Sequence, residues 1–286
     1  MKSSVVIPTK NRFEFLLRAL YSIHNQVEKP SEVVIVDDGS DQPIILPNSL
    51  NESLNIRIIR NISSFGGAEA RNIGIKSSTS GIIFFLDDDD AWPSDYVKKH
   101  MDIHRSSRNC LLYTKKSIVH NNNLDKVIRE SFSEVGDILT SNFIGTTSCV
   151  SAPKDSLIEV GGFDTNLKAF QDYDLWLRLS RICKVLSIES TSILYTINVK
   201  DGHHQISGNY TNHLSALNVF EEKYKSHEDK NKILGSVNFF VAKAIHRKNY
   251  FMSLKFSFTA LIRGNTRSLA LLIPYSIYNK FNIYTS

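Results

Sequence analysis

Apolar and polar positions along the first half of the chain fall into short runs separated by longer amphipathic stretches. Ser3 to Pro8 is an apolar run stopped by a proline. Phe13 to His24 then repeats apolar residues at helical spacing, with Leu16, Leu17, Leu20 and Ile23 on one side. Val33 to Val36 and Ile56 to Ile59 are further β-branched runs, and Ala68 to Lys76 reads as a helix entered through Gly66-Gly67. Ile82 to Leu86 is a buried-type strand, too short for a helix. Strands alternating with helices predict an α/β fold with a mostly parallel sheet covered on both faces.

Further along, two β-like runs flank Lys115-Lys116 between Cys110 and His120, and Asn121-Asn122-Asn123 reads as a turn. Phe143 to Ser151 reads as a strand, Gly161 to Asp164 as a loop, Phe170 to Leu179 as a helix and Lys184 to Ile197 as more strand. Asp201 to His204 is a loop, and from about Tyr210 the pattern is helical to the end. The expected division is an α/β domain over 1–210 and a basic, amphipathic helical region over 211–286.

Polar residues recur at the predicted strand ends. Thr9, Asp37-Asp38 and the four carboxylates Asp87 to Asp90 are expected to converge on one crevice, since ligands of open α/β sheets bind at the carboxyl edge. Four adjacent carboxylates repel, so a fold that gathers them needs a compensating cation or donors. A hard divalent ion that also holds substrate phosphates is the natural partner. The alternative is a solvated acidic turn ahead of a helix starting at Pro93-Ser94-Asp95.

A hydrophobic share of 42% with 22% charged residues argues against disorder over the 286 residues. Cys110, Cys149 and Cys183 are odd in number, far apart and without metal-ligand spacing, which suggests buried thiols in a reducing compartment. With no secretory pattern at the N-terminus and no run of about 20 apolar residues, the expectation is a cytoplasmic protein, soluble or peripheral on the inner face of the cell membrane. The net charge of +5 hides an asymmetry: residues 223–286 hold 11 Lys/Arg and 2 Asp/Glu, and the remainder 23 and 27.

Taken together, VVIPTKNR, VIVDDGS, GGAEARNIGI, FFLDDDDAW, GGFD and QDYDLWLRL, in this order and spacing, resemble a family 2 glycosyltransferase of the GT-A fold, of the bacterial polysaccharide or O-antigen type. The resemblance covers about residues 1–210. It implies a nucleotide-binding sheet flanked by helices with a C-terminal helical appendage, and inverting transfer of a sugar from a nucleotide sugar, expected to be UDP-linked, with Mn²⁺ or Mg²⁺. It implies a DxD element at Asp87-Asp88-Asp89, with Asp89 the direct metal ligand, Asp87 near the ribose and Asp88 in the variable middle position. Asp90 is expected to support these or cap a helix.

On the same resemblance Asp37 and Asp38 lie near base and ribose, Pro8 and Thr9 shape the nucleoside pocket, and Arg71 donates to a uracil carbonyl or a phosphate. Asp172, in a Gln171-Asp172 pair where the family more often has Glu-Asp, is the general base. His204 completes the metal shell, with His203 the alternative. Trp92 and Tyr173 are candidates to stack on sugar faces. An exposed helix-face arginine, a tight turn at Asp38-Gly39 and a helix cap at Asp172 or Asp174 are the plainer alternatives.

The basic tail, with KNYFMSLKFSFTALIRG and SLALLIPYSIYNKF, suggests helices lying in an anionic membrane interface near a lipid-diphosphate-linked saccharide acceptor. The alternative is packing on the α/β domain or on a second subunit, as in a homodimer. Nucleic acid is disfavoured because no binding motif accompanies the charge. The rival enzyme is a sugar-phosphate nucleotidyltransferase, which would carry a Gly-rich N-terminal loop that VVIPTKNRF lacks. A catalytically silent nucleotide-sugar-binding subunit is the rival outside enzymes. A Rossmann dehydrogenase is disfavoured because no strand is followed by G-x-G-x-x-G.

Overall fold

The computed structural model describes residues 1–120, 123–131, 136–197 and 210–274. It divides into two compact units. The first comprises the described residues of Met1–Val135, Ile144–Thr165 and Asp172–Lys200; the second comprises those of Gly136–Phe143, Asn166–Gln171 and Asp201–Ser286.

The first unit is built on an eight-stranded mixed sheet. Its strands are β1 (Ser3–Thr9), β2 (Glu32–Asp37), β3 (Ile56–Arg60), β4 (Ile82–Phe85), β5 (Cys110–His120), β6 (Asn123–Ser131), β7 (Val150–Pro153) and β8 (Lys184–Ile197). The order is β3-β2-β1-β4-β7-β5-β6, with β8 also paired to β5. β1 to β4 pair in parallel, as do β5 and β8, whereas β7 runs antiparallel to both β4 and β5. Every residue of β2 and β4 is buried, which explains their unbroken apolar sequences.

Helix α1 (Phe13–His24) buries Leu16, Leu20 and Ile23 of the expected stripe together with Ala19, while Leu17, expected on the same side, is half-buried. Four further helices in this part of the chain are α2 (Asn48–Ser53), α3 (Gly67–Ser77), α4 (Tyr96–Ser106) and α5 (Lys154–Glu159), and α6 (Gln171–Leu179) follows. The buried side of α3 is made of small residues, Ala68, Ala70 and Gly74 among them, so its backbone lies close on β1.

Two expectations change. The runs around Lys115-Lys116 join into the single strand β5, because a register jump from Thr114–Ile188 to Lys115–Ser192 lets β8 absorb the irregularity. Phe143 to Ser151 is not a strand: Gly145 adopts φ +79°, Thr147–Cys149 forms a 3₁₀ turn, and only Val150–Pro153 is extended. Asn121 and Asn122 of the expected turn lie outside the described residues.

The second unit holds α7 (Tyr210–Tyr224), α8 (Lys230–Ile245), α9 (Tyr250–Ile262) and a 3₁₀ turn over Thr266–Leu272. Phe239, Ala242, Ala260 and Leu271 form one core cluster, and Phe170 packs its ring against His213, Phe220 and Phe240. Asn249 caps α9, its side chain accepting from Met252 N–H at 3.0 Å. No helix among the described residues is long and apolar enough to cross a membrane.

Candidate active site

Parallel pairing sets Thr9 beside Asp37, and Leu86 N–H donates to the carbonyl of Val6, so the carboxyl ends of β1, β2 and β4 adjoin. Beyond Leu86 the chain turns tightly, with Asp90 N–H bonded to the Asp87 carbonyl at 3.0 Å. The turn sends the four carboxylates to different partners. Asp87 accepts from Arg71 at 2.6 Å and from the Thr147 hydroxyl at 3.0 Å. Asp88 is buried, taking the Thr9 hydroxyl at 2.7 Å and Arg12 at 3.2 Å. Asp89 pairs with Arg12 as well, while its carbonyl receives Arg18. Asp90, 1% exposed, accepts Thr196 N–H at 3.0 Å and leaves its other oxygen without a hydrogen bond. It does not cap α4, whose N-cap is Asp95.

Electrostatics follow from this crowding. Burial pushes the Asp88 carboxyl up to about 7, against the pull of Arg12 and with Asp89 and Asp87 adding to the rise. Asp89 is raised by burial despite Arg12, and Asp90 lies well above the usual carboxylate range because it is buried beside Asp89 and Asp87. Four carboxylates thus face three arginines, Arg12, Arg18 and Arg71.

Thr147–Cys149 buttresses the cluster from below. The Ser148 hydroxyl accepts Asp87 N–H at 3.0 Å, and its carbonyl accepts both Trp92 Nε1–H at 2.9 Å and the Tyr96 hydroxyl at 3.0 Å. Trp92 is thus buried and stacked on Tyr96, and Tyr173 is fully buried. Neither offers a face to a sugar, contrary to expectation.

Asp37 and Asp38 serve their own loops in this structure. Asp37 is fully buried, accepts Ser40 N–H at 2.9 Å and stands 3.6 Å from Arg60. Asp38 accepts four donors, the side chains of Asn61 and Ser64 and the N–H groups of Phe65 and Gly66, at 2.6–2.9 Å. These bonds hold its carboxyl below the usual range although burial opposes them. Directly after them, Gly39 has φ +77°, and a Cβ there would come within 2.9 Å of the Ser63 backbone.

On α3, Arg71 faces Asp87 and lies over the Phe163 ring at 5.5 Å. Its neighbour Asn72 makes a two-way amide latch with Phe163, donating to the carbonyl and accepting from the N–H, each at 2.8 Å. Gly162 carries φ +70°, and a Cβ would fall 2.4 Å from Asn72 Oδ1, so the GGFD loop requires glycine there. Asp172 is half-buried in the first turn of α6 and accepts Tyr173 N–H at 2.8 Å. Asp174 is buried and gripped by Arg178 at 2.6 and 2.9 Å, a packing role. Burial raises the Tyr195 hydroxyl, and the charges of Asp90, Asp89, Asp87 and Asp172 add to the rise.

The structure thus brings Pro8, Thr9, Asp37, Asp38, Arg71, Asp87, Asp88 and Asp89 to one sheet edge, with Asp172 in the same unit. His203 and His204 lie outside the described residues. Arg12, Arg18, Thr147, Ser148 and Tyr195 join the site without having been singled out. Arg12 lay within PTKNR, but Thr147 and Ser148 carried no signal beyond a polar pair in an apolar stretch.

Among the described residues no group of three or more His, Cys, Asp or Glu side chains is set to hold a metal. The donor set of the acidic turn, carboxylate oxygens only, is of the kind that a hard divalent ion accepts when phosphate and water supply its other ligands, and Asp89 and Asp87 would be the side chains to hold such an ion. Beside the cluster a cavity of about 530 Å³ is lined by Thr9, Asn11, Arg12, Ser40 and Asp41 on its polar side and by Phe13, Leu16 and Ile44 among others on its apolar side.

The Glycosyl transferase family 2 profile matches residues 4–159, more than half of the chain. An uncharacterized glycosyltransferase of Haemophilus influenzae is 25% identical over 232 residues, covering 77% of this chain and 76% of that protein. The amylovoran biosynthesis glycosyltransferase AmsB of Erwinia amylovora is 28% identical over 194 residues, covering 63% and 64%. Among solved structures, Staphylococcus aureus TarS superposes with a TM-score of 0.64 at 17% identity over 96% of this chain, which spans 51% of that one. Residues 1–349 of TarS have been solved with UDP-GlcNAc. The mannosyltransferase PcManGT of Pyrobaculum calidifontis, in complex with GDP-Man and Mn²⁺, superposes with a TM-score of 0.64 at 17% identity over 99% of this chain and 81% of its own. This chain belongs to glycosyl transferase family 2 and is a glycosyltransferase of the GT-A fold.

Proposed function

We propose that this protein is an inverting, metal-dependent glycosyltransferase that moves a sugar from a UDP-linked donor to a hydroxyl of a lipid-diphosphate-linked saccharide in surface polysaccharide synthesis, of the O-antigen or capsule kind. The observation that carries the reading is the turn of four carboxylates at the carboxyl end of β4, adjoining the ends of β1 and β2, in the same compact unit as Asp172. The UDP-GlcNAc complex of TarS and the Mn²⁺ complex of PcManGT support the donor class and the metal.

A divalent ion, when bound, would neutralise charge on the departing diphosphate. The remaining work falls to the chain. Asp172 takes the proton of the acceptor hydroxyl as that oxygen bonds to the anomeric carbon. The bond from this carbon to the diphosphate oxygen breaks, and its electron pair leaves with the nucleoside diphosphate. One displacement inverts the anomeric centre. The N-terminus of α6 favours the ionised form of Asp172 that a resting base needs. Arg71 and Thr147 hold Asp87 in place for the donor side.

The acceptor class has support in α9, which buries the small residues Ser253, Ser257 and Ala260 and exposes Phe251 (82%), Phe258 (53%) and Ile262 (87%), with Lys255 on the same exposed face. A helix that turns its large apolar residues outward beside a lysine suits the interface of an anionic bilayer, where a lipid-linked acceptor resides. The protein is then peripheral on the inner face of the cell membrane.

The test is nucleotide release from a panel of UDP-, GDP- and TDP-sugars with Mn²⁺ or Mg²⁺, with and without EDTA and a lipid-diphosphate-GlcNAc acceptor. Metal-dependent release from a UDP-sugar, stimulated by the acceptor, is expected. Release from none of the donors, with nucleotide binding intact by calorimetry, would turn the reading to a catalytically silent binding subunit.

A further inference from the structure

Arg12 bridges two carboxylates of the acidic turn. Its guanidinium reaches Asp88 at 3.2 Å and pairs with Asp89, the side chain placed to take a divalent ion. Its Nε, although buried, has no hydrogen-bond partner. The side chain is 29% exposed, stands on the Phe15 ring at 5.1 Å, and borders the cavity of about 530 Å³ next to the cluster. Asp88, by contrast, keeps the Thr9 hydroxyl at 2.7 Å whether or not Arg12 stays. One cation therefore occupies the carboxylate that the metal would need and also lines an open cavity.

We propose that Arg12 is a built-in counter-ion for Asp89 which competes with the divalent metal in the nucleotide-free protein and turns to the donor's diphosphate once the metal takes Asp89. The inference rests on the metal-dependent reading above. Arg12 and the metal cannot both neutralise the Asp89 carboxylate, so each weakens the other there. A diphosphate beside the metal offers the displaced guanidinium a bidentate anion in exchange. Metal and nucleotide should then bind with positive coupling, since each removes what the other must displace. Arg18 differs from Arg12: it donates to the Asp89 carbonyl and to the Thr196 hydroxyl, and so does not contest the carboxylate.

The experiment is direct Mn²⁺ binding to the full chain, read by calorimetry and by electron paramagnetic resonance of free Mn²⁺, without sugar donor or acceptor. Relative to wild type, Arg12→Gln should bind Mn²⁺ alone more tightly by about tenfold or more and bind UDP in saturating Mn²⁺ more weakly, while Arg12→Lys falls between. Thermal melts establish that each variant is folded. Equal Mn²⁺ affinity in wild type and Arg12→Gln, with Mn²⁺ bound by both, overturns the inference and leaves metal dependence standing. Weaker Mn²⁺ binding by Arg12→Gln overturns it too, since Arg12 would then be supporting the metal site. Failure of every variant to bind Mn²⁺, with or without UDP, overturns the metal-dependent reading and the inference together.

Discussion

Carboxylates in this molecule take their roles from their partners, and neighbours in sequence diverge. Asp172 and Asp174 are two positions apart on α6, yet Asp174 is buried against Arg178 while Asp172 stays half-buried and accepts the Tyr173 N–H. Asp172→Asn should keep nucleotide binding by calorimetry and lose transfer by at least about a hundredfold; unchanged turnover would remove it as the base. Ser148 has a different task, holding the peptide of Asp87 and the polar edges of Trp92 and Tyr96. Ser148→Ala leaves Asp87 N–H without its acceptor and should cost about 1–3 kcal/mol in urea unfolding. A variant as stable as wild type would show that water replaces the hydroxyl.

At the scale of elements, α4 contains a pH-sensitive seam. His100 Nδ1 and His104 Nε2 both meet the Ser151 hydroxyl, at 2.7 and 2.8 Å, and all three are buried. Burial holds His104 down to about 4, and burial together with His104 holds His100 well below its ordinary 6.5. Both rings are therefore neutral when folded and take protons more readily when unfolded. Their stabilising effect is complete above about 6.5 and is lost as pH falls toward 4, by on the order of 3 kcal/mol for His104 alone. Melting temperature should drop between pH 7 and pH 5, and less so in His104→Gln; identical profiles would mean that other groups set the acid limit. Helix α9 makes a separate prediction. Replacing Phe251, Phe258 and Ile262 together by serine should abolish sedimentation with anionic vesicles and leave the melting temperature unchanged, because these side chains are exposed. Continued sedimentation would exclude this face as the anchor.

For the whole molecule, β1, β2 and β4 were legible because they are buried on both faces and so read as largely apolar runs, with helical stripes between them, whereas the partly exposed β3 was read from its β-branched residues. The acidic turn was equally plain. What the carboxylates bind was not: the partners of Asp38 come from residues 61–66, those of Asp87 from Arg71 and Thr147, and long-range pairings of this kind leave no periodicity. The turn at Thr147–Cys149 was hidden for the same reason, since the apolar residues on both sides of its polar pair read as one strand and only tertiary bonding bends the chain there. Trp92 and Tyr173 illustrate the limit from the other side, as aromatic chemistry suited to sugars is equally suited to a core.

The insertion of β7 between β4 and β5 carries a consequence for how the chain is made. β4, which delivers the acidic turn, finds its first neighbour in β1, already synthesised, but its second neighbour begins only at Val150. During synthesis the strand Ile82–Phe85 therefore waits with one edge unpaired while roughly sixty-five more residues emerge, an interval of several seconds at about 5–20 residues per second. An apolar edge left open that long is a template for pairing with other chains, and the run of aspartates directly behind it supplies the like charge that keeps nascent copies apart. The same carboxylates that gather at the sheet edge in the finished protein would thus guard this strand while the protein is still being built.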